Sequence, residues 1–281
     1  MPDQYADIIY RLEAIGVSVL LMAFFAVGLA ILGYILFLFW KYRDREQRSL
    51  DYVLMQVAVP RDNEIKIDAA EQLFSSLHSL YRSGKLSFLK SQEHLSFEIV
   101  AKREDIRFYV CVPKKYKDLV EKQIHGSYPG ADIKETEEYN IFSEHGKVAF
   151  AALRLKGPNY MPIRVFRDLP VDPLSSLTSA LAKMEEGEGA AVQLLIQPVG
   201  NKWRGQGRGY ISHVKKNEAN PEKASFKVDQ KTLEAIEVKT SKQGYNAVVR
   251  IVISSNSQDM AKHHLENLTT VFGQFSSDQN H

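Results

Sequence analysis

Apolar and polar positions alternate in three different ways along this chain, and each way predicts a different kind of element. Residues 15–40 (IGVSVLLMAFFAVGLAILGYILFLFW) are apolar throughout, with no charged side chain in 26 positions. At about 1.5 Å of rise per residue the stretch reaches roughly 39 Å, against a hydrocarbon core of about 30 Å. It is therefore predicted to be a membrane-spanning helix, because a continuous helix satisfies its own backbone where lipid offers no water. Beyond it the pattern changes to short runs of strand formers and amphipathic runs of helical period.

Strand runs fall at 52–60 (YVLMQVAVP), 95–101, 106–112 and 131–136, and the polar segment 102–105 between the second and third reads as a hairpin. Between them, Ala70, Leu73, Phe74, Leu77 and Leu80 recur at helical spacing, as do Tyr116, Leu119, Val120 and Ile124. The order is strand, helix, strand, strand, helix, strand, which is that of a ferredoxin-like fold. A second set follows: strands at 148–155, 163–166, 190–198 and 246–254, and helices opening at Asp172-Pro173, over 228–240 and over 260–272. The segment 202–214 is expected to be a helix broken by its glycines, and 215–224 a solvated connector. The predicted fold class is α+β: one N-terminal transmembrane helix followed by two small α+β units, the first ferredoxin-like (βαββαβ). The boundaries are an extracytoplasmic tail at 1–14, the helix at 15–40, a basic juxtamembrane linker at 41–50, units at 51–140 and 145–275, and a tail at 276–281.

Charge orients the membrane helix. Asp3, Asp7, Arg11 and Glu13 precede it, whereas Lys41, Arg43, Arg45 and Arg48 follow it against only Asp44 and Glu46. Positive charge is retained in the cytoplasm, so the C-terminal part is placed there, with Trp40, Lys41, Arg43, Arg45 and Arg48 at the inner membrane interface. An acidic leader and a core running straight into Phe39 and Trp40 disfavour a cleaved signal peptide. Ala26, Ala30 and Gly33 form a small-residue row that suits helix pairing. Over the whole chain 36 basic residues meet 34 acidic ones, so no global field points to nucleic acid. The single cysteine, Cys111, makes no internal disulfide and reads as a small buried hydrophobe.

The residues offer little chemistry. SGKLS at 83–87 has a Gly-Lys pair but no glycine five positions earlier and no hydroxyl after the lysine, so it is not a phosphate loop. The alternating glycines of RGQGRGY lack the dinucleotide-binding spacing, and EEGEG at 185–189 reads as a turn. His263 and His264 are adjacent on a helix, point about 100° apart, and read as surface residues. No nucleophile elbow is present, and neither a catalytic residue, a cofactor nor a metal is expected. The candidate contact is 202–216, where Lys202, Arg204, Arg208, Lys215 and Lys216 are interleaved with Trp203 and Tyr210. Cations beside rings that stack are the ingredients of a single-strand nucleic-acid contact; the alternative is a basic amphipathic surface whose Trp203 packs on the preceding strand.

Three stretches, 95–133 (LSFEIVAKREDIRFYVCVPKKYKDLVEKQIHGSYPGADI), 172–198 (DPLSSLTSALAKMEEGEGAAVQLLIQP) and 245–277, together resemble the region ahead of the motor in bacterial membrane-anchored ATPases. That class is related to type IV secretion and conjugation, within the HerA/FtsK-like superfamily. The resemblance implies an anchor and assembly region for a translocation motor, with the lipid bilayer, further copies of itself and a P-loop motor domain in cis or trans as partners. No Walker A motif occurs among these residues, so the family's catalytic residues map onto nothing here and no ATPase activity carries over. An independent membrane-tethered scaffold, contacting protein or nucleic acid, is the alternative.

Overall fold

The computed structural model describes residues 2–43, 50–84, 92–219 and 228–280, with 2–14 as backbone alone. It has two bodies, an N-terminal helix and a sheet domain that begins at Asp51. The helix, α1 (Pro2–Tyr42), is 41 residues long and starts well before the apolar stretch. Its segment Ile15–Tyr42, 28 residues with a mean hydropathy of 2.7 over its most apolar 18, is long and apolar enough to cross a membrane. Phe24 and Phe25 are 81% and 68% exposed, an arrangement that water would penalise and lipid would not. Trp40 is exposed at the C-terminal end, and the Lys41 ammonium lies over the rings of Phe37 and Tyr42. Arg43 is exposed, whereas Arg45 and Arg48 fall outside the described residues.

The sheet domain has the strands β1 (Tyr52–Ala58), β2 (Leu95–Lys102), β3 (Asp105–Pro113), β4 (Asp132–Thr136), β5 (Lys147–Leu153), β6 (Gly189–Pro198) and β7 (Tyr245–Ser255). Its helices are α2 (Asp68–Leu77), α3 (Lys117–Ser127), α4 (Pro173–Leu181), α5 (Lys202–Glu218), α6 (Gln230–Ser241) and α7 (Gln258–Val271). The strands form one antiparallel sheet in the order β4-β1-β3-β2-β6-β7-β5. This overturns the expectation of two small units with a ferredoxin-like first. The edge that β2 would expose in a separate unit is paired with β6 from Leu95↔Ile196 to Lys102↔Gly189. The strand expected at 163–166 is absent; Phe166–Asp168 is a short 3-10 turn.

Alternation along β2 shows how the layers are built. Leu95 and Phe97 join Leu73 and Leu77 of α2 and Val120 and Ile124 of α3 in one cluster. Ile99 and Ala101 join Leu177 and Leu181 of α4 and Ala261 and Leu268 of α7 in a second. These β2 residues share one side of the strand, so four helices cover a single face of the sheet. Asp172 caps α4 by accepting from the Leu174 amide with proline at the next position, and Ser257 caps α7 through the Met260 amide. On the other face Val100 packs with Leu54, Tyr109 and Ala191, and the cover is a strap, residues 137–146. The strap must cross because it leaves β4 at one edge of the sheet and enters β5 at the other. Tyr139 and Ile141 anchor it, and Gly189 has no room for a Cβ against the Ile141 backbone.

Candidate functional site

The segment singled out by its basic residues is α5, one uninterrupted helix of 17 residues rather than a broken one. With α6 it forms a helical pair inserted between β6 and β7, which meet at Pro198↔Tyr245. The glycine spacing explains the packing. Gly207 is buried against Thr240, Tyr160 and Ile236, where a side chain would collide, while Gly205 and Gly209 border open space.

This packing divides the seven predicted contact residues. Trp203 lies against the backbone of Gly244, its indole N–H buried and, among the described residues, without a hydrogen-bond partner. The Tyr210 ring meets Tyr160 at 5.3 Å with an interplanar angle of 33°. Arg204 turns toward the C-terminus of α6, where its Nε donates to the Lys242 carbonyl at 2.9 Å and its other donors reach Ser241 and Gln243. A cation there meets the negative end of the helix dipole and carbonyls with no intrahelical donor. Trp203 is thus turned into the fold against Gly244, ahead of β7, and both rings are engaged within the fold. Lys202, Arg208, Lys215 and Lys216 remain exposed, and no acidic residue stands between 202 and 217. The result is a cationic helix face suited to an anionic surface, without stacking platforms.

Two polar clusters went unread in the sequence. Under the strap, Glu98 is 7% exposed and accepts from Tyr139 Oη at 2.5 Å, while Gln193 Nε2 donates to the same phenol oxygen at 2.9 Å. Burial, then the neighbouring carboxylate, pushes the Tyr139 phenol far up. Cys111 sits on the same face, half-buried, and burial followed by Glu98 and Glu138 pushes its thiol up to about 12. A thiol so poor in thiolate is a weak nucleophile. Beside this cluster lies a groove of about 320 Å³ lined by Val100, Tyr109 and Tyr139 together with Lys102, Glu137 and Glu138. Arg107, at its rim, is paired with Asp105 at 2.8 Å.

The second cluster ties the 185–189 turn to the end of β7 and the middle of α7. Glu188, 7% exposed, accepts from Ser255 Oγ, from the Glu185 amide at 3.0 Å and from His264 Nε2 at 3.2 Å. Burial raises the Glu188 carboxyl, but these donors outweigh it and hold it below its ordinary value. His264 is buried rather than a surface residue. Its position between Ala261 and Leu268 on the buried side of α7 was a legible sign, since residues three and four apart share a face. The burial of Glu188 had no such sign, because its partners lie 67 and 76 positions away. Among the described residues no group of three metal-ligating side chains converges.

Comparison with known proteins adds a family but no chemistry. The family described as "Domain of unknown function (DUF8128)" matches residues 45–281, most of the chain. No curated protein matches. Among solved structures, an aclacinomycin oxidoreductase aligns at 8% identity and a TM-score of 0.37, covering 80% of this chain. A glycopeptide hexose oxidase bound to teicoplanin aligns at 11% and 0.34, also over 80%. A berberine bridge enzyme variant aligns at 13% and 0.30 over 81%. The chain spans only 41%, 41% and 42% of those structures, and at such TM-scores the likeness implies neither a shared fold nor a shared chemistry.

Proposed function

Taking as premise that the chain belongs to this family, whose function is unknown, we propose that it is a membrane-tethered assembly module. It anchors a sheet domain beside the bilayer and serves as the base for a type IV secretion- or conjugation-like P-loop motor in cis or in trans. The observation that carries this reading is the pairing of a helix whose segment Ile15–Tyr42 is long and apolar enough to cross a membrane with a single seven-stranded sheet domain. The basic residues after the helix favour an orientation with the N-terminus outside and the domain at the cytoplasmic face of the inner membrane. Support for the motor comes from the sequence resemblance over 95–133, 172–198 and 245–277. The second reading, an independent scaffold, draws on the cationic face of α5, which suits an anionic protein or nucleic acid.

Immunoblotting of native membranes with antibody to the sheet domain, followed by isolation in mild detergent, separates these readings. A band well above 31.9 kDa that carries a P-loop is expected for a motor in cis, and a co-isolated P-loop ATPase for one in trans. Isolation of the chain with other partners and no ATPase would sink the motor base and leave the scaffold.

A further inference from the structure

The two edges of the sheet are built in opposite ways. Strand β4, at one edge, has five residues, DIKET. Three of its residues are charged, with Lys134 paired to Asp132 at 2.6 Å and Lys117 of α3 to Glu135 at 2.5 Å. Short length and charge are how natural sheets keep an edge from pairing with another chain. Strand β5, at the other edge, has seven residues, KVAFAAL, with no charge, proline or glycine after Lys147. Phe150, its central residue, is 76% exposed and Val148 41%, and among the described residues β7 is the sole strand neighbour of β5. The Gln258 amide donates to the Val148 carbonyl, so this side chain meets the strand near its N-terminal end.

We infer that β5 is a self-pairing edge, at which a second copy of this chain adds its own β5 antiparallel about a two-fold axis through Phe150. The sequence favours a second copy as the occupant because the strand is complementary to itself. About Phe150, Ala149 falls opposite Ala151, Val148 opposite Ala152 and Lys147 opposite Leu153, so no charge meets a like charge. With the axis normal to the sheet, two seven-stranded sheets become one of fourteen strands, with every helical layer on the same face. The Phe150 rings of the two copies meet on the strap side, where Phe150 already has Val252 as its cross-strand neighbour. Main-chain hydrogen bonds supply the attraction and the alternating side chains supply the register. One strand pair buries less than the roughly 1,000 Å² that a stable soluble interface needs. Tethering by α1 offsets this, because copies held in one membrane meet at a high effective concentration.

Cysteine cross-linking of the full chain in membranes tests the inference. Phe150→Cys is expected to form a disulfide-linked dimer under mild oxidation, since directly opposed residues lie within disulfide reach. Val148→Cys and Ala152→Cys, each expressed alone, are expected to cross-link at least tenfold less, and their co-expression to restore the dimer. The unaltered chain, whose half-buried Cys111 is expected to give no cross-link, is the control. Two differently tagged copies should co-isolate from membranes, and Phe150→Lys should abolish this without changing the melting temperature. A folded Phe150→Cys chain that stays monomeric, or an equal cross-link from Val148→Cys alone, would overturn the pairing.

Discussion

Glu188 carries a charge into the interior and is bonded there by a hydroxyl, a backbone amide and an imidazole. Removing one side of such a buried set strands the other, at a typical cost of about 3 kcal/mol or more. Glu188→Ala is therefore expected to lower the unfolding free energy by about 3 kcal/mol in denaturant titration. The pH dependence follows from the depressed carboxyl. Its folded value lies below the ordinary 4.5, so ionised Glu188 contributes stability above that pH, and the contribution is lost as pH falls through the folded value. Melting curves of the protein and of Glu188→Gln should therefore differ most near neutrality and draw together in acid. At this scale the sequence was half legible. His264 shares a helix face with Ala261 and Leu268 and so declares itself buried, whereas Glu188 stands in EEGEG, which reads only as a turn. Its burial depends on a distant serine and histidine that local pattern does not reveal.

The helical pair α5–α6 shows why element boundaries were read less well than element types. Each glycine in a helix interior costs about 1 kcal/mol relative to alanine, and three of them between 205 and 209 argue locally for a break. Tertiary packing overrides that cost, because Gly207 lets α5 approach Ile236 and Thr240 of α6. The glycines should accordingly respond in opposite directions. Gly205→Ala and Gly209→Ala, which point into open space, are each expected to raise stability by about 1 kcal/mol. Gly207→Ala, with Thr240 Cγ2 2.5 Å from the new methyl, is expected to lower it. Unfolding curves of the three single variants give the sign directly. Strand runs were easier, because β-branched and aromatic residues between turn residues leave few alternatives. The short expected strand at 163–166 failed where a turn closed by Asp168 took its place, with the Val165 amide donating to that carboxylate.

At the scale of the whole molecule, legibility tracks how strongly the environment constrains the chain. An unbroken apolar stretch long enough to cross a membrane has one regular structural solution, and the helix at 15–40 was read directly from composition. Water leaves a set of short strands many pairings, and the union of both strand groups in one sheet was hidden because β2 offers both faces and both edges to burial. Side-chain alternation predicts faces but says little about which edge meets which. The proposed assembly role requires α1 to hold the sheet domain at the cytoplasmic side of a membrane. Protease digestion of intact spheroplasts and of inverted membrane vesicles tests this most directly, read with antibody against the sheet domain. The domain should resist digestion in spheroplasts, be cleaved in inverted vesicles, and stay with the membrane after alkaline washing. Release by alkali, or cleavage in intact spheroplasts, would contradict the anchor or its orientation and with it the assembly role.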